Sequence, residues 1–309
     1  MISIIIPCFN ESESLAKLLD ELLISLKKIK YEYEIIFVND GSTDHTQKVL
    51  EKLYQKNPQI KIITLRNNFG KASALHAGFQ HSKGQFIVQL DADLQDDPSE
   101  LPRFISKLEE GYDVVVGWKQ NRKDSFIKNN TSKFFNSITN NLSQAKLHDH
   151  NCGFKAYQSE AAKGLNLYGE LHRYIPVLLS AQGYSIIELP INHRQRIYGS
   201  SKYGVTRFIH GFLDLFTVLF ITKFRSRPLH LFGYIGISFF VLGFSLAIYL
   251  SLVKIVGGQA IGERPLLLFS VMLIILGVQI GVTGLVGEQL ASLVHKNEPN
   301  YYIRKIIDG

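Results

Sequence analysis

The chain contains little cysteine. Only Cys8 and Cys152 occur among its 309 residues, too few for a disulfide framework, and a cytosolic location would keep both thiols reduced. We therefore expect both to be small buried side chains. His148, Asp149 and His150 stand side by side, but no further His or Cys follows at the spacing of metal ligands, so a zinc site is not predicted.

Two other signals are missing near the N-terminus. Residues 1–6 lack the basic leader of a cleavable signal peptide and enter a predicted strand directly, so the N-terminal part is expected in the cytosol. The turn that follows, residues 7–13, lacks the G-x-G-x-x-G pattern that holds the phosphates of a dinucleotide. This second absence speaks against a dehydrogenase.

Long apolar blocks are present near the C-terminus. Leu229–Val253 and Leu266–Val286 are each about long enough to cross a bilayer as a helix, and a helix buried in a globular domain rarely stays apolar on every face for that length. Residues 205–224 carry one broad apolar face, which predicts an amphipathic helix in the membrane interface. Basic residues outside both blocks predict two cytosolic termini.

Three glycines of the second block, Gly277, Gly281 and Gly284, share one helix face. Small residues let helices approach closely in a membrane. The pattern leaves two alternatives open, a contact within one chain or a homo-oligomer held through these helices.

The first 118 residues alternate short apolar runs with helical patterns. This order predicts a mostly parallel sheet with helices on both faces. The predicted strands, together with a last one further along, are Ile2–Ile6, Glu34–Val38, Lys61–Leu65, Phe86–Leu90, Val114–Trp118 and Tyr184–Leu189.

Acidic residues follow two of these strands. Asp40 ends the second strand, while Asp91 and Asp93 come directly after the fourth, and functional groups at the carboxyl ends of strands meet in one crevice of an α/β sheet. Carboxylates of this kind suit Mg²⁺, which is commonly shared with the phosphates of a substrate. The alternative is an acidic loop that opens the next helix, because Asp96 and Asp97 follow and Asp is favoured at helix starts.

A basic segment follows the last predicted strand. Residues 193–203 combine cations with glycine and serine, which suits a loop that closes on an anion; the alternative is a juxtamembrane stretch attracted to anionic lipid. The net charge of +7 fits a phosphorylated substrate or a membrane surface. Nucleic acid is not a predicted partner, because the basic residues are scattered around the predicted anion sites.

These segments together resemble family 2 glycosyltransferases of GT-A fold, and among them the polyprenyl-phosphate glycosyltransferases, which include dolichol-phosphate mannose synthase and bacterial glucosyl and aminoarabinosyl enzymes. The resemblance covers nearly the whole chain. It rests on segments 6–11 (IPCFNE), 38–42 (VNDGS), 91–95 (DADLQ), 151–157 (NCGFKAY) and 199–203 (GSSKY), and on the two terminal apolar blocks.

The resemblance implies roles for the acidic strand ends. Asp40 would face the nucleotide base, and Asp91 would contact the ribose or the metal. Asp93 and Gln95 would bind the Mg²⁺ or Mn²⁺ ion that carries the diphosphate. The full set implied for the nucleotide sugar is Pro7, Asn10, Glu11, Asp40 and Asp91.

The resemblance also implies a set of phosphate-binding residues. They would grip the lipid acceptor or the donor, although Lys119 and Lys133 stand where the family often has Arg, and a lysine is a point charge rather than a bidentate fork. Asp149 stands where a base or a residue that orients the acceptor is expected, and it joins Asp93 and Arg122 as an implied catalytic residue. The implied phosphate ligands are Arg122, Lys128, Arg194, Arg196, Ser201 and Lys202.

The implied activity is inverting, metal-dependent transfer of one sugar, with a UDP-linked glucose as the family-level expectation, from a nucleotide sugar to undecaprenyl phosphate. It would take place at the cytosolic face of a bacterial inner membrane. The implied organisation is a catalytic domain over 1–203, an amphipathic helix over 204–227, a membrane hairpin over 228–288 and a cytosolic tail over 289–309. The alternatives are a silent scaffold or lipid carrier, and a processive polysaccharide synthase, whose usual Gln-x-x-Arg-Trp motif is absent.

Overall fold

The computed structural model describes residues 1–120, 139–140, 145–194, 206–224, 227–258, 260 and 265–295. The chain divides into two compact units, residues 1–218 and residues 219–309. The first is an α/β unit and the second holds two long helices.

All the strands described in the first unit except β6 begin and end close to the predicted positions. The strands are β1 (Ile2–Cys8), β2 (Tyr33–Asn39), β3 (Ile60–Thr64), β4 (Phe86–Gln89), β5 (Val114–Lys119), β6 (Lys155–Gln158) and β7 (Ile186–Ile191).

Helices connect these strands, as the alternating pattern predicted. They are α1 (Leu15–Leu26), α2 (Thr46–Lys56), α3 (Lys71–Gln80), α4 (Leu101–Glu109), α5 (Ser159–Lys163) and α6 (Ile175–Ala181). A further helix, α7 (Thr206–Lys223), follows the last strand.

Within the described residues the strands form one sheet in the order β3-β2-β1-β4-β6-β5-β7. All neighbours are parallel except β6, which runs antiparallel between β4 and β5. The mostly parallel sheet is therefore confirmed. The prediction missed β6, whose four residues are too few to show a period and include the charged Lys155.

The sheet is buried because its central strands are apolar on both faces. Ile4, Ile5 and Ile6 of β1 have no exposed surface, and neither do their partners Ile35, Ile36 and Phe37 in β2. The helices cover this sheet through apolar stripes such as that of α4, which buries Leu101, Phe104, Ile105 and Leu108.

The second unit contains α8 (Pro228–Gly257) and α9 (Pro265–His295). Among the described residues, Pro228–Gly257 and Pro265–Leu293 are long and apolar enough to cross a membrane, and most of their surface is exposed. The two predicted apolar spans are confirmed as helices of this length and composition.

Glycines bring α8 and α9 into backbone contact. A Cβ atom at Gly236 would lie 2.7 Å from the carbonyl oxygen of Gly277, and one at Gly284 would lie 2.8 Å from Phe232 Cβ. The glycine face predicted in the second block therefore packs within one chain. At one end of the pair, the Glu288 carboxylate accepts a hydrogen bond from the Leu229 amide (3.2 Å), which satisfies an amide in the first turn of α8.

Candidate active site

The predicted acidic residues lie at the carboxyl edge of the sheet around β1. This strand pairs in parallel with both β2 and β4, so the chain crosses over in opposite directions on its two sides. Ligands of α/β sheets bind at such a switch point. Asp40 follows β2 and Asp91 follows β4, which places the two carboxylates on either side of the end of β1.

The turn after β4 presents alternate residues to solvent. Asp91, Asp93 and Gln95 are partly exposed, whereas the residues between them are buried. Leu94 adopts a left-handed conformation (φ 61°) that is rare for a side chain of this kind. Its fully buried side chain and a hydrogen bond from the Gln95 amide to Asp93 Oδ1 (3.2 Å) hold the turn. Strained backbone of this kind is typical of functional sites.

Asp91 contacts two other segments of the chain. Its Oδ1 atom forms an ion pair with Lys71 Nζ at 2.5 Å. The Lys71 side chain is 30% exposed and the Asp91 side chain is 26% exposed. A Cβ atom at Gly153 would overlap Asp91 Oδ2, so the backbone of the 151–155 segment can lie against this carboxylate only because residue 153 is glycine. Asp91 thus joins the start of α3 to the loop before β6.

Asp40 is almost fully buried, and its carboxylate binds backbone. Its two oxygens accept hydrogen bonds from the amides of Phe69 (2.8 Å) and Gly70 (2.9 Å). The next residue, Gly41, has a φ of 66°, and a Cβ atom there would lie 2.6 Å from the Asn68 amide nitrogen. Asp40 therefore fixes the loop that delivers Lys71. Its predicted contact with a nucleotide base remains a prediction.

Asn10 joins the turn after β1 to the turn after β2. Its amide donates to Ser42 Oγ (3.0 Å), and its side-chain oxygen accepts from the Thr43 amide (2.8 Å). Asn10 has a φ of 56°, a conformation that asparagine tolerates better than most residues. Glu11 is tied in the same way, since its amide donates to Thr46 Oγ1 (2.9 Å). Pro7 lies in β1 and is partly exposed.

Asp96 differs from what the sequence suggested. Asp97 does start a helical turn, because it accepts a hydrogen bond from the Ser99 amide (2.9 Å), but Asp96 is buried beside Lys119 Nζ (3.2 Å) and His193 Nδ1 (3.6 Å). Burial alone would raise the pKa of Asp96 and lower that of Lys119. Their mutual attraction outweighs burial, so the pKa of Asp96 is lowered and that of Lys119 is raised. Asp96 therefore belongs to an ion pair in which the carboxylate is fully buried and the Lys119 side chain is 14% exposed.

Asp149 lies in the same buried region. Its Oδ1 atom accepts from the Asn151 amide (3.2 Å), and its charge acts on the neighbouring Lys119 and Lys155. Lys155 is buried in β6, where its ammonium donates to the Cys152 carbonyl, and burial lowers the pKa of Lys155 to about 8. The structure thus brings Asp149 close to the cations behind the Asp91 turn.

Both thiols and one histidine beside the site are neutral. Burial raises the pKa of Cys152 to about 12 and that of Cys8 well above its ordinary value, so neither is a reactive thiolate. Burial lowers the pKa of His150 to about 4, an effect that Asp149 opposes and Lys155 strengthens. His150 Nε2 lies 2.8 Å from Asn140 Oδ1.

Arg194 is described, and the structure gives it carboxylate partners. Its guanidinium binds Glu21 (2.6 Å) and Asp97 (2.9 Å), and its amide donates to the Gln95 carbonyl (2.8 Å). The segment after β7 is thereby joined to the Asp93 turn. The remaining residues predicted to bind phosphate, Arg122, Lys128, Arg196, Ser201 and Lys202, lie outside the described residues.

Three charged residues of the site were missed from the sequence, Lys71, Lys155 and Glu188. Lys71 follows a glycine, and no apolar pattern around it predicts where its side chain lies. Lys155 lies in β6, the strand that was not predicted. Glu188 could have been recognised from the sequence, because it is the one charged residue in the Ile186–Ile191 strand.

The exposed side of the turn fits a metal ion that is shared with a substrate. Among the described residues, no three His, Cys, Asp or Glu side chains converge as a metal cage. Mg²⁺ commonly needs only one or two carboxylates when phosphates supply further ligands. Asp93 and Gln95 offer side-chain oxygens of this kind at the turn.

Comparison with solved structures identifies the class of fold. The crystal structure of glucosyl-3-phosphoglycerate synthase from Mycobacterium tuberculosis, in complex with Mn²⁺ and uridine-diphosphate-glucose, is similar with a TM-score of 0.55 and 16% identity, over 71% of this chain and 78% of that chain. The first unit therefore has a GT-A fold, as predicted.

Comparison of sequences identifies the family. Residues 3–165 match the profile of glycosyl transferase family 2, and residues 227–293 match that of the GtrB C-terminal hairpin. A dodecaprenyl-phosphate galacturonate synthase from Rhizobium johnstonii is 35% identical over 99% of this chain and 93% of its own length. An undecaprenyl-phosphate 4-deoxy-4-formamido-L-arabinose transferase from Edwardsiella ictaluri is 33% identical over 99% and 94%. The chain belongs to glycosyl transferase family 2, which confirms the resemblance and the prediction of a glycosyltransferase.

Proposed function

We propose that this protein transfers one sugar from a nucleotide sugar to a polyprenyl phosphate, with inversion at the anomeric carbon. The observation that carries the proposal is the turn after β4, where the partly exposed Asp93 and Gln95 lie on a strained backbone at the switch point of the sheet. The names of two relatives of nearly full length, each a polyprenyl-phosphate sugar transferase, support it.

The donor site is proposed at the ends of β1, β2 and β4. The structure of similar fold that contains Mn²⁺ and uridine-diphosphate-glucose supports a UDP-linked donor and a divalent ion. Asp93 and Gln95 would hold Mg²⁺ or Mn²⁺. Asp91 would not be a main ligand, because it already forms an ion pair with Lys71. When bound, the ion neutralises charge that develops on the leaving diphosphate.

The acceptor is proposed to be a lipid phosphate in the inner membrane of a bacterium, undecaprenyl phosphate above all. Two helices long and apolar enough to span a bilayer support a substrate that stays in the membrane. The proposed topology places the catalytic domain (residues 1–203) and both termini in the cytosol, with residues 204–227 as an interfacial helix and residues 228–288 as the membrane hairpin.

The chemistry requires little help with proton transfer. An oxygen of the lipid phosphate attacks the anomeric carbon, a carbon–oxygen bond forms, and the bond from that carbon to the diphosphate breaks. Because the second pKa of a phosphate monoester is about 6, the attacking oxygen is already ionised at neutral pH. Asp149 is therefore proposed to position groups at the acceptor side, with Arg122 beside the reacting phosphates.

The sugar is the open part of the proposal. Glucose was the family-level expectation, but the two relatives are named for galacturonate and for 4-deoxy-4-formamido-L-arabinose. The donor panel of any assay must therefore contain a neutral hexose, a uronic acid and an aminopentose.

The proposal is tested by incubating the purified full-length protein with undecaprenyl phosphate, Mg²⁺ and the donor panel, and following lipid-linked sugar by mass spectrometry. One donor should add a single sugar, chelation should stop the reaction, and Asp93→Asn should lower the rate by at least about 100-fold, as expected when an electrostatic group of the transition state is lost.

Asp113→Asn is the matched control, because Asp113 bonds Ser185 at the opposite end of the sheet. This variant should keep the wild-type rate. Transfer from no donor would favour a silent scaffold, and an unchanged rate in Asp93→Asn would contradict the metal site.

A further inference from the structure

Glu188 of β7 holds the Asp149 segment with one carboxylate. Its Oε1 atom accepts a hydrogen bond from the Asp149 amide (2.9 Å), and its Oε2 atom accepts from the His148 amide (3.1 Å). His148 Nδ1 lies 2.8 Å from the same Oε2 atom. A carboxylate only accepts, so His148 Nδ1 carries a proton. The Glu188 side chain is 11% exposed.

Trp118 completes the support from the neighbouring strand. Its indole stacks on the His148 imidazole, with ring centroids 4.2 Å apart and planes inclined by 16°. Val116 of β5 pairs with Glu188 of β7, so Trp118 and Glu188 project from adjacent strands. His148 is therefore fixed on one side by a ring and on another by a carboxylate.

This support has consequences for Asp149. Both amides that Glu188 binds belong to residues 148 and 149, so the carboxylate sets the path of the backbone from which the buried Asp149 side chain projects. A group three strands away from the Asp93 turn thereby determines where the negative charge of Asp149 stands relative to Lys119 and Lys155.

We propose that Glu188 is a positioning residue for sugar transfer, which acts by fixing the His148–Asp149 backbone and touches neither substrate. The inference rests on the proposed function, in which Asp149 serves the acceptor side. Loss of the support should therefore slow the chemical step and leave the affinity for the nucleotide sugar, bound at β1, β2 and β4, unchanged.

The test uses Glu188→Gln, which keeps the size of the side chain but replaces one acceptor oxygen by a donor that faces other donors. Trp118 is the only tryptophan of the chain, so its emission reports on the ring stacked against it. Emission of Glu188→Gln in the full-length protein should shift from the wild-type value toward that of His148→Ala, which lacks the stacked ring. The value of kcat should fall at least about 10-fold, as expected for a small displacement of a catalytic segment, with the donor KM within about twofold.

Glu34→Gln is the matched control. Glu34 also binds a backbone amide and a side chain, from Lys83 and Ser3, but at the amino end of the sheet and through Oε1 alone. It should show wild-type emission and wild-type kcat.

A double-variant cycle separates positioning from a general loss of stability. If Glu188 acts through Asp149, then Glu188→Gln added to Asp149→Asn should lower kcat no further. Additive losses, or wild-type emission in Glu188→Gln, would overturn the proposal. A wild-type protein that transfers no sugar would contradict the proposed function, whereas the emission of the variants tests the role of Glu188 independently of transfer.

Discussion

The two halves of the catalytic edge are held by different forces. Around β1 and β2, polar side chains bind the backbone of neighbouring turns, as Asp40 binds the amides of Phe69 and Gly70. Around β5 and β7, buried charges meet each other, as Asp96 meets Lys119. The first half depends on hydrogen-bond geometry, while the second depends on a balance of charge inside the protein.

This difference predicts which half of the site is more sensitive to substitutions and to pH. A hydrogen bond from a backbone amide to a carboxylate contributes about 1.5–3 kcal/mol net, and its loss is local. A buried charge without its partner costs several kcal/mol, and here it would disturb β4, β5 and the segment after β7 together. Variants and pH changes should therefore affect the β5–β7 half more strongly.

The largest effect should come from breaking the Asp96–Lys119 pair. Asp96→Asn leaves the Lys119 cation buried, so the free energy of unfolding should fall by about 3–5 kcal/mol. Asp96→Leu combined with Lys119→Met removes both charges and should lie closer to the wild type. Denaturant unfolding of the full-length protein in detergent measures both.

The control for this pair is Glu110→Gln, which breaks a partly exposed pair with Lys107. It should change the free energy of unfolding by less than about 0.5 kcal/mol. If Asp96→Asn were as mild as Glu110→Gln, the buried charges would not be what holds this half.

A smaller effect is expected from acid. The pKa of His150 is about 4 in the folded chain, below its ordinary value of 6.5, so the unfolded chain binds the extra proton between these values. The stability that the protein gains by keeping His150 neutral is fully present above pH 6.5. As the pH falls to 4, the free energy of unfolding decreases by up to about 3 kcal/mol. Unfolding midpoints measured at pH 6.5 and 4.5 should differ less in His150→Asn than in the wild type; an equal difference would contradict the assignment.

The smallest effect should come from the β1–β2 half. Asp40→Asn replaces one acceptor oxygen by an NH2 donor, which then faces a backbone amide that can only donate. This should cost about 1–3 kcal/mol and raise the KM for the nucleotide sugar. Asp113→Asn should be milder, because both bonds from Ser185 end on the single Oδ2 atom, which an asparagine oxygen can replace. The comparison is tested by measuring the unfolding midpoint and the donor KM of Asp40→Asn and of Asp113→Asn.

Much of the fold followed from the sequence because apolar runs mark buried parallel strands. The strand around Ile4 and the turn at Asp93 were located by such runs, and the two C-terminal helices by their length. The strand that contains Lys155 was not predicted, because a lysine in a four-residue segment is typical of a loop. Its burial and its carbonyl partner are known only from the structure.

The pairing of charges was the part that sequence could not supply. Asp96 and Asp97 look alike in the sequence, but one is buried against Lys119 and the other caps a helical turn. The partner of Asp96 is 23 positions away along the chain and lies two strands over, so only the order of strands in the sheet brings the two together.

The most direct test of the central claim is the identity of the nucleotide released when the lipid product forms. Attack by a lipid phosphate on the anomeric carbon predicts a nucleoside diphosphate, in equal amount to a lipid that gains the mass of one sugar residue. Release of a nucleoside monophosphate, with a lipid that gains a sugar phosphate, would contradict the account.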